Sequence, residues 1–330
     1  MKAAFHSGRK AIEVREQACP VPGQGEYLVR IEACAICGSD TWWLGDASEN
    51  EPVHGHEAAG IIAACGKGAD KFKVGDRVIA YAILGCGNCY YCQHGVPTRC
   101  QNKKFVEGGF QEYSVYDERL LFPCPAGIDS ITASLLSDAI GVPLRGLRRM
   151  PPEKTDKVCV WGMGPLGLLQ VMFLKASGVQ SIIALDTVDQ RLQKARELGA
   201  DFVINPQKED AVQRVREICG GIGADKAYTY VRNAKATESV FHSTREGASI
   251  CTFVGLDGKY DLQEWVERIL IWSFYFTPEE FQENLDFIVR HGIDLKKVVT
   301  DVIPLARINE AFRKRFDQQE TSLKIVISMQ

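Results

Sequence analysis

The fold of this 330-residue chain is decided by the stretch Val158-Cys-Val-Trp-Gly-Met-Gly-Pro-Leu-Gly167. Its apolar start predicts a buried strand, its glycines have the spacing G-x-G-x-x-G, and a helical pattern follows over residues 166–177. The first glycine permits a tight turn, the second lets the backbone approach a pyrophosphate, and the third lets helix pack against strand. Such a motif alone often marks an ordinary loop, but this one has the strand and the helix that a phosphate turn needs. We therefore expect a dinucleotide to contact Gly162, Gly164, Pro165, Leu166 and Gly167.

Strands and helices alternate on the carboxyl side of this turn. The predicted strands are 181–185, 201–205, 226–231, 248–254 and 269–276. The predicted helices are 189–198 and 209–219. Alternation at these lengths predicts a doubly wound parallel sheet, and so an α/β fold.

Asp186 stands at the end of the second of these strands, about twenty residues after the glycine turn. A carboxylate there accepts hydrogen bonds from the ribose hydroxyls of NAD and repels the 2′-phosphate of NADP. Thr187 and Val188 supply no cation for that phosphate, and Arg191 is expected over the adenine. A helix-capping role is the alternative for Asp186. The sequence predicts NAD as the cofactor.

The first part of the chain, roughly to residue 138, has a different texture. Short β-type runs over residues 27–34, 58–64 and 77–82 are separated by glycine-rich turns, a pattern typical of an irregular, barrel-like domain. At the other end, a helix is predicted over 278–291, a strand over 298–305, a helix over 308–316 and a strand over 322–328. We expect this tail to return to the first domain, which makes the nucleotide domain an insertion.

Composition excludes several classes of function. The net charge of -3 offers no electrostatic footprint for nucleic acid or an anionic membrane, and no apolar run is long enough to span a bilayer. The amino terminus has no apolar core of the signal-peptide kind. We expect a soluble cytoplasmic protein, with no nucleic-acid partner and no membrane partner.

Four of the twelve cysteines lie close together, at Cys86, Cys89, Cys92 and Cys100. In a reducing compartment such a cluster indicates metal ligation rather than disulfides. Four thiolates fill the tetrahedral coordination of one Zn²⁺ and leave no open position, so this site should be structural. Free or disulfide-bonded cysteines and an iron–sulfur centre are the alternatives.

A second metal site is suggested by Cys37-Gly-Ser-Asp40 and Gly55-His-Glu57, which offer a thiolate, an imidazole and a carboxylate. Three protein ligands and one open position are what a catalytic zinc needs. Each motif alone is weak, because a lone Cys or His usually belongs to the core. Asp138 stands in an apolar stretch where an unpaired carboxylate is costly, although a helix cap or a turn residue is an equal alternative.

Together these motifs closely resemble the zinc-containing medium-chain dehydrogenase/reductase family, which includes alcohol, sorbitol and threonine dehydrogenases. The resemblance covers essentially the whole chain and includes Gly108-Gly-Phe-Gln-Glu-Tyr113 and Pro304-Leu-Ala-Arg-Ile-Asn-Glu-Ala-Phe312. It implies a GroES-like, β-rich catalytic domain over residues 1–140 and 277–330. It also implies an NAD-binding Rossmann domain over 141–276.

The resemblance further implies roles for individual residues. Cys37, His56 and Asp138 would hold the catalytic zinc, and Glu57 would bind it directly or exchange with water. Asp40 would orient His56, and Ser39 would receive the alcohol proton, although a simple turn hydroxyl is its alternative. The four clustered cysteines match the structural zinc, which gives two Zn²⁺ per chain. Lys324 is expected to be exposed rather than paired near Glu57. The backbone expected to hold the nicotinamide is that of Val254, Gly255 and Leu256.

The chain departs from the family pattern at two places. Trp42 replaces a histidine that passes the proton to solvent in some members, so the proton must leave by water, ribose or another group. Val142 and Pro143 replace a threonine–glycine pair, which puts one nicotinamide contact in doubt. Trp42 and Trp43 either shape the substrate pocket or cover the domain edge.

The sequence therefore predicts a zinc-dependent oxidoreductase that transfers a hydride between an alcohol and NAD. The expected substrate is a secondary alcohol, polyol, sugar or cyclitol. The alternatives are an NADPH-linked aldehyde or ketone reductase, which Asp186 disfavours, and a non-catalytic zinc and nucleotide binder. A homodimer or homotetramer is expected, since the run 269–276 resembles a strand that pairs across subunits in relatives, although a buried core strand also explains it.

Overall fold

The computed structural model describes residues 1–40, 45, 48–258, 267–317 and 322–329. Trp42 and Trp43, for which two roles were predicted, lie outside these described residues.

The regular elements are numbered in chain order. The strands are β1 Lys2–Gly8, β2 Ala11–Glu16, β3 Glu26–Ala35, β4 Glu57–Cys65, β5 Arg77–Ala80, β6 Ile83–Leu84, β7 Lys104–Phe105, β8 Tyr113–Asp117, β9 Leu121–Pro123, β10 Lys157–Trp161, β11 Ser181–Leu185, β12 Phe202–Ile204, β13 Ala224–Thr229, β14 Thr244–Thr252, β15 Ile269–Trp272, β16 Val299–Pro304 and β17 Lys324–Ser328. The helices are α1 Tyr90–Gln93, α2 Ser130–Leu136, α3 Gly141–Arg149, α4 Pro165–Ala176, α5 Asp189–Glu197, α6 Ala211–Ile218, α7 Ala234–His242, α8 Glu280–Arg290 and α9 Ile308–Phe316.

The chain divides into two compact units. The first comprises Met1–Ala139, Phe276–Leu285 and Asp294–Gln330, and the second comprises Ile140–Tyr275 and Asp286–Ile293. The predicted division at 140 and 277 differs from these units mainly at residues 286–293, the end of α8 and the turn after it. Assignment of the units as catalytic and NAD-binding domains stays a prediction.

The first unit is built on a seven-stranded sheet. Its order is β16-β17-β3-β4-β5-β9, and β8 also pairs with β3. The tail is tied into this unit by buried aromatic residues: the Tyr81 hydroxyl donates to the Phe276 carbonyl at 2.5 Å, and Phe122 stacks on Phe281. Asp129 caps α2 by accepting from the Thr132 backbone N–H at 2.8 Å, which starts the helix that leads to Asp138.

The second unit contains a six-stranded parallel sheet in the order β12-β11-β10-β13-β14-β15. Helices α4 to α7 connect its strands, so the predicted doubly wound α/β architecture is confirmed. Alternate strand residues, among them Trp161, Ile183 and Ile250, pack with Val215 of α6 in a buried core. The strand order reverses between β10 and β13, and the crevice outside the carboxyl ends of those strands is where such folds bind ligands.

Several predicted strands are shorter in the structure, and two of them bear on the sites discussed below. The strand predicted over 226–231 ends at Thr229, so Tyr230 and Val231 follow the sheet. The strand predicted over 269–276 ends at Trp272 and lies at the sheet edge, with Ile269 and Trp272 more than half exposed. A buried core strand was therefore the wrong alternative for this run. No described helix is both long and apolar enough to cross a bilayer.

Candidate functional site

The four-cysteine lobe brings its sulfurs together in the first unit. One ligand atom from each of Cys86, Cys89, Cys92 and Cys100 lies within 4.8 Å of all the others. The Cys86–Cys92 and Cys89–Cys92 sulfur separations are 4.0 and 3.6 Å. A tetrahedral zinc with Zn–S bonds of about 2.3 Å separates its sulfurs by about 3.8 Å. The donor set therefore fits one Zn²⁺ with no open position.

Local hydrogen bonds prepare this lobe for anionic sulfur. Backbone hydrogen bonds from Asn88 and Cys89 lower the pKa of Cys86 to about 6. The Cys86 backbone N–H donates to the Cys100 sulfur at 3.5 Å. Because the thiolate is the form that binds metal, these N–H groups favour the metal-binding state.

The second cluster is assembled from the ends of three elements. Cys37 lies just beyond β3, His56 immediately precedes β4, Glu57 is the first residue of β4, and Asp138 follows α2. One ligand atom from each lies within 4.8 Å of all the others. Antiparallel pairing of β3 with β4, in which Ala35 faces Glu57, brings the first two motifs together.

The spacing of three of these donors matches a metal's first coordination shell. Asp138 Oδ2 lies 3.4 Å from His56 Nε2 and 3.5 Å from Cys37 Sγ. For zinc bonds of about 2.0–2.3 Å, tetrahedral geometry places neighbouring ligand atoms about 3.3–3.8 Å apart. Asp138 Oδ1 and Glu57 Oε2 are buried, and neither has a hydrogen-bond partner among the described residues. A thiolate, an imidazole and a carboxylate at this spacing fit Zn²⁺, with a fourth position left for Glu57, water or substrate.

Asp40 supports both the thiolate and the imidazole. Its Oδ2 accepts from the Cys37 backbone N–H at 2.8 Å, and its Oδ1 lies 3.3 Å from His56 Nδ1. A carboxylate on Nδ1 fixes the ring tautomer and leaves Nε2 as the ligand atom. The predicted orienting residue thus stands in contact with its target. Ser39 Oγ lies 3.5 Å from His56 Nε2, on the same side as the metal-facing atoms.

Lys324 was expected to be exposed, and this was wrong. Its side chain is buried, and Nζ lies 2.5 Å from Glu57 Oε1. Lys324 stands between the apolar residues Leu323 and Ile325, and both charged side chains are buried, so each group takes the other as partner in place of the water that it loses on folding. The available signal was a lysine inside the otherwise apolar run Leu323-Lys-Ile-Val-Ile327, where an exposed residue is out of place.

Burial shifts the pKa values of this cluster. Burial and the Asp138 carboxylate raise the pKa of Cys37, and burial raises the pKa of Glu57 to about 7. Burial lowers the pKa of His56, but Asp40 and Cys37 outweigh it, so the pKa lies well above the ordinary value. Protons therefore hold these donors together when no cation is present, and a divalent cation has to displace them.

Glycines pack tightly behind His56. A Cβ on Gly55 would lie 2.9 Å from the Cys34 sulfur, and one on Gly109 would lie 2.3 Å from it. The backbone N–H groups of Gly108 and Gly109 both donate to the Gly55 carbonyl, at 3.0 and 2.9 Å. No larger side chain fits at Gly55 or Gly109 unless the Cys34 sulfur moves, so the loop that carries His56 is packed tightly.

The glycine turn of the second unit has the geometry that its sequence predicts. Gly162 has φ +91°, a conformation that favours glycine, and a Cβ on Gly167 would lie 1.8 Å from the Gly162 carbonyl oxygen. A Cβ on Gly164 would meet no atom of the described residues within 4 Å, which leaves space for a ligand beside it. Pro165 and Leu166 form the first turn of α4, whose N–H groups point toward that space.

The remaining nucleotide residues lie on the same edge of the sheet. Asp186 follows β11, and its two oxygens accept from the Met163 and Val188 backbone N–H groups at 2.6 and 2.9 Å. Arg191 lies in the first turn of α5. Val254, Gly255 and Leu256 follow β14, and the Gly255 carbonyl accepts from the Thr252 hydroxyl at 3.0 Å. That these residues bind a cofactor stays a prediction.

Comparisons with known proteins agree with this architecture. Residues 23–126 match the alcohol dehydrogenase GroES-like domain, and residues 165–290 match the zinc-binding dehydrogenase domain. The chain is 33% identical to an alcohol dehydrogenase of Geobacillus stearothermophilus, over 97% of each chain. It is 29% identical to a sorbitol dehydrogenase of Bacillus subtilis, over 99% of this chain and 97% of that protein.

Among solved structures, an alcohol dehydrogenase from E. coli CFT073 in complex with NADH superposes with a TM-score of 0.89. It is 25% identical, and the match covers 100% of this chain and 99% of that one. The chain therefore belongs to the zinc-containing medium-chain dehydrogenase/reductase family, as a zinc-dependent alcohol dehydrogenase that acts on CH–OH donors.

Proposed function

We propose that the chain oxidises a secondary alcohol, in the class of polyols, sugars or cyclitols, and passes the hydride to NAD. The observation that carries this proposal is the convergence of Cys37 Sγ, His56 Nε2 and Asp138 Oδ2, with Asp138 Oδ2 at 3.4–3.5 Å from the other two atoms. Beside them lie carboxylate oxygens of Asp138 and Glu57 that have no partner in the described part of the chain. The similarity to a sorbitol dehydrogenase supports the polyol class.

The chain's own residues have separable tasks in this reaction. Zinc supplies Lewis acidity toward the alcohol oxygen, and the nicotinamide supplies the hydride acceptor. Cys37, His56 and Asp138 would hold the metal, and Asp40 keeps His56 Nε2 directed at it. Ser39 Oγ, 3.5 Å from His56 Nε2, would accept the proton that the alcohol loses while its own hydroxyl proton passes to water or to a ribose hydroxyl. Glu57 shares its charge with Lys324, so it approaches the metal only by giving up part of that pair.

NAD rather than NADP is proposed because of Asp186. Each of its oxygens already accepts one backbone N–H, and the remaining lone pairs suit two ribose hydroxyls. A 2′-phosphate would place two negative charges against this carboxylate. The Asp186→Asn variant should raise the activity with NADP relative to NAD. Asp189→Asn removes an exposed acid nearby and serves as the matched control.

The proposed reaction is tested with a panel of secondary alcohols, polyols and sugars. Each is offered with NAD and with NADP, and formation of reduced cofactor is followed by absorbance. A non-catalytic binder would give no reduced cofactor with any of them. A reductase would show its activity with aldehydes or ketones and NADPH instead.

We also propose that two copies associate through β15. This strand is the edge of the parallel sheet, and Ile269, Leu270 and Trp272 expose apolar surface there. An edge strand with exposed apolar side chains favours pairing with another strand. Leu270→Lys should therefore shift the mass seen by sedimentation toward the monomer. Val302→Lys, at a half-exposed valine on the edge strand β16 of the other sheet, should not.

The proposed compartment is the cytoplasm. All twelve cysteines are free, including the exposed Cys19 and Cys65, which suits a reducing environment.

A further inference from the structure

The loop after β13 lies against the glycine turn. A Cβ on Gly162 would come within 2.8 Å of Val231 Cγ2 and 3.5 Å of Tyr230. Tyr230 and Val231 follow the end of β13, the strand beside β10 at the point where the strand order reverses. The next residue, Arg232, is therefore delivered to the rim of the crevice where the phosphate turn opens.

Arg232 forms an ion pair with an acid in a neighbouring loop. Its Nε lies 3.1 Å from Asp257 Oδ1, and the two side chains are 66% and 44% exposed. Asp257 lies in the loop after β14, the next strand of the sheet. The pair thus bridges two neighbouring loops at the carboxyl edge. An ion pair this exposed contributes little to the stability of the fold, so stability alone does not account for an arginine at position 232.

The opposite edge of the same two strands carries a comparable pair. Arg245 Nε, near the start of β14, lies 2.7 Å from Asp225 Oδ1, near the start of β13. This pair is remote from the phosphate turn, because the amino ends of parallel strands all lie on the side of the sheet opposite their carboxyl ends, where the turn lies. The molecule therefore contains its own control for the effect of an arginine–aspartate pair.

We propose that Arg232 binds the pyrophosphate of the dinucleotide and that Asp257 holds its guanidinium at the rim until the dinucleotide arrives. This inference rests on the proposed function, since it requires a dinucleotide in this crevice. A planar guanidinium makes charge-assisted, bidentate hydrogen bonds to phosphate oxygens, which are stronger than those to a neutral acceptor. The turn at Gly162–Gly164 offers the pyrophosphate only backbone N–H groups. Arg232 adds a positively charged side chain, which the turn itself lacks. When the phosphate binds, Arg232 exchanges one anionic partner for another.

Binding of NADH and of NADPH to the zinc-loaded protein, measured by titration calorimetry without substrate, tests this assignment. Arg232→Gln should weaken both by about tenfold, since both carry the pyrophosphate. Asp257→Asn removes the competing anion and should tighten both by about twofold to fivefold. Arg245→Gln should leave both unchanged. The loss in Arg232→Gln should shrink as the salt concentration rises.

The signs of the two effects separate a binding role from a structural one. If the ion pair only braced the two loops, Arg232→Gln and Asp257→Asn would weaken binding alike, and the proposal would be overturned. Unchanged binding in Arg232→Gln would also overturn it, and so would a loss confined to NADPH, which would mark a contact to the 2′-phosphate. If the wild-type protein binds neither dinucleotide, it is the proposed function that fails.

Discussion

The two candidate zinc clusters differ in how the chain builds them. The lobe takes four identical donors from residues 86–100 and leaves three of them partly exposed. The other cluster takes a thiolate, an imidazole and a carboxylate from segments up to a hundred residues apart. It also contains the buried acid Glu57, whose partner Lys324 is 267 residues away in the chain. A local cluster can be lost without disturbing chemistry elsewhere, whereas a cluster assembled by the fold depends on many packing contacts. We expect the lobe to supply stability and the dispersed cluster to supply turnover.

Removal of Cys37 should give the largest effect. Cys37→Ser should lower kcat/KM by more than about a thousandfold, because one of three metal ligands is lost. The melting temperature should change little, and one zinc per chain should remain. Cys89→Ser is the matched control in the lobe: it should lower the melting temperature by on the order of 10 °C and leave residual turnover in the folded fraction. Metal analysis, calorimetry and initial rates give the three readouts.

The comparison breaks if these two variants exchange their effects. Full activity in Cys37→Ser would remove the catalytic assignment, and an unchanged melting temperature in Cys89→Ser would remove the structural one.

Replacement of Lys324 should have the next largest effect. Lys324→Met leaves the Glu57 carboxylate buried without its cation and should cost about 3 kcal/mol of unfolding free energy at pH 8. Burial already raises the pKa of Glu57 to about 7, and loss of the ammonium raises it further. Below that pKa the acid is neutral and costs less, so the difference from wild type should narrow toward pH 6. Urea unfolding at the two pH values measures it, with Lys324→Arg as the charge-preserving control. A loss that does not change with pH would indicate lost packing instead.

Replacement of Asp40 should have a smaller effect on the same cluster. Asp40→Asn weakens the contact to His56 Nδ1 and should lower activity or zinc affinity by about tenfold to a hundredfold. Asp76→Asn is the control, since Asp76 also accepts from the backbone N–H three residues earlier but contacts no histidine in the described part of the chain. Zinc affinity from competition with a chelator distinguishes weaker metal binding from a purely catalytic loss. Equal effects in the two variants would mean that Asp40 only shapes its turn.

The smallest expected difference between the two clusters is in the pH at which each releases zinc. In the dispersed cluster the pKa values of Cys37 and His56 are both raised, whereas in the lobe the pKa of Cys86 is lowered to about 6 and that of Cys92 is raised to about 11. The lobe also has a fourth thiolate, which would retain the metal while one sulfur is protonated. For each ligand that must lose a proton to bind zinc, the affinity falls by about tenfold per pH unit below the pKa of that ligand. Between pH 8 and pH 5.5 the dispersed cluster should therefore release zinc first. Zinc counts on desalted samples show the order, and Cys37→Ser reports the lobe alone. Earlier release from the lobe would reverse the comparison.

Sequence reasoning worked best where the chemistry is contiguous. The four cysteines and the glycine turn each lie within a short segment, so their spacing alone restricts the geometry they can form. The strands around the turn were predicted for the same reason, because apolar runs flanked by helical patterns leave few alternatives. The ends of β13 and β15 were misplaced, since the apolar pattern continues past the last paired residues, Thr229 and Trp272, into Tyr230 and Phe274.

What lay beyond prediction depends on long-range packing. Asp138 had an even alternative as a helix cap until β3, β4 and α2 brought it to 3.4 Å from His56. Lys324 was taken for an exposed lysine because its partner belongs to the other end of the chain. The Arg232–Asp257 pair joins two loops that only the sheet order makes neighbours. No local spacing rule encodes such contacts.

The glycines around Cys34 have a consequence for how this enzyme changes over generations. Because the Cys34 sulfur lies within 3 Å of where a Cβ of Gly55 or Gly109 would stand, we expect almost any substitution at either glycine to shift the neighbouring His56 imidazole, a candidate metal ligand. We therefore expect substitutions that change the substrate to accumulate in outward-facing loops, while the residues around the candidate metal cluster stay the same.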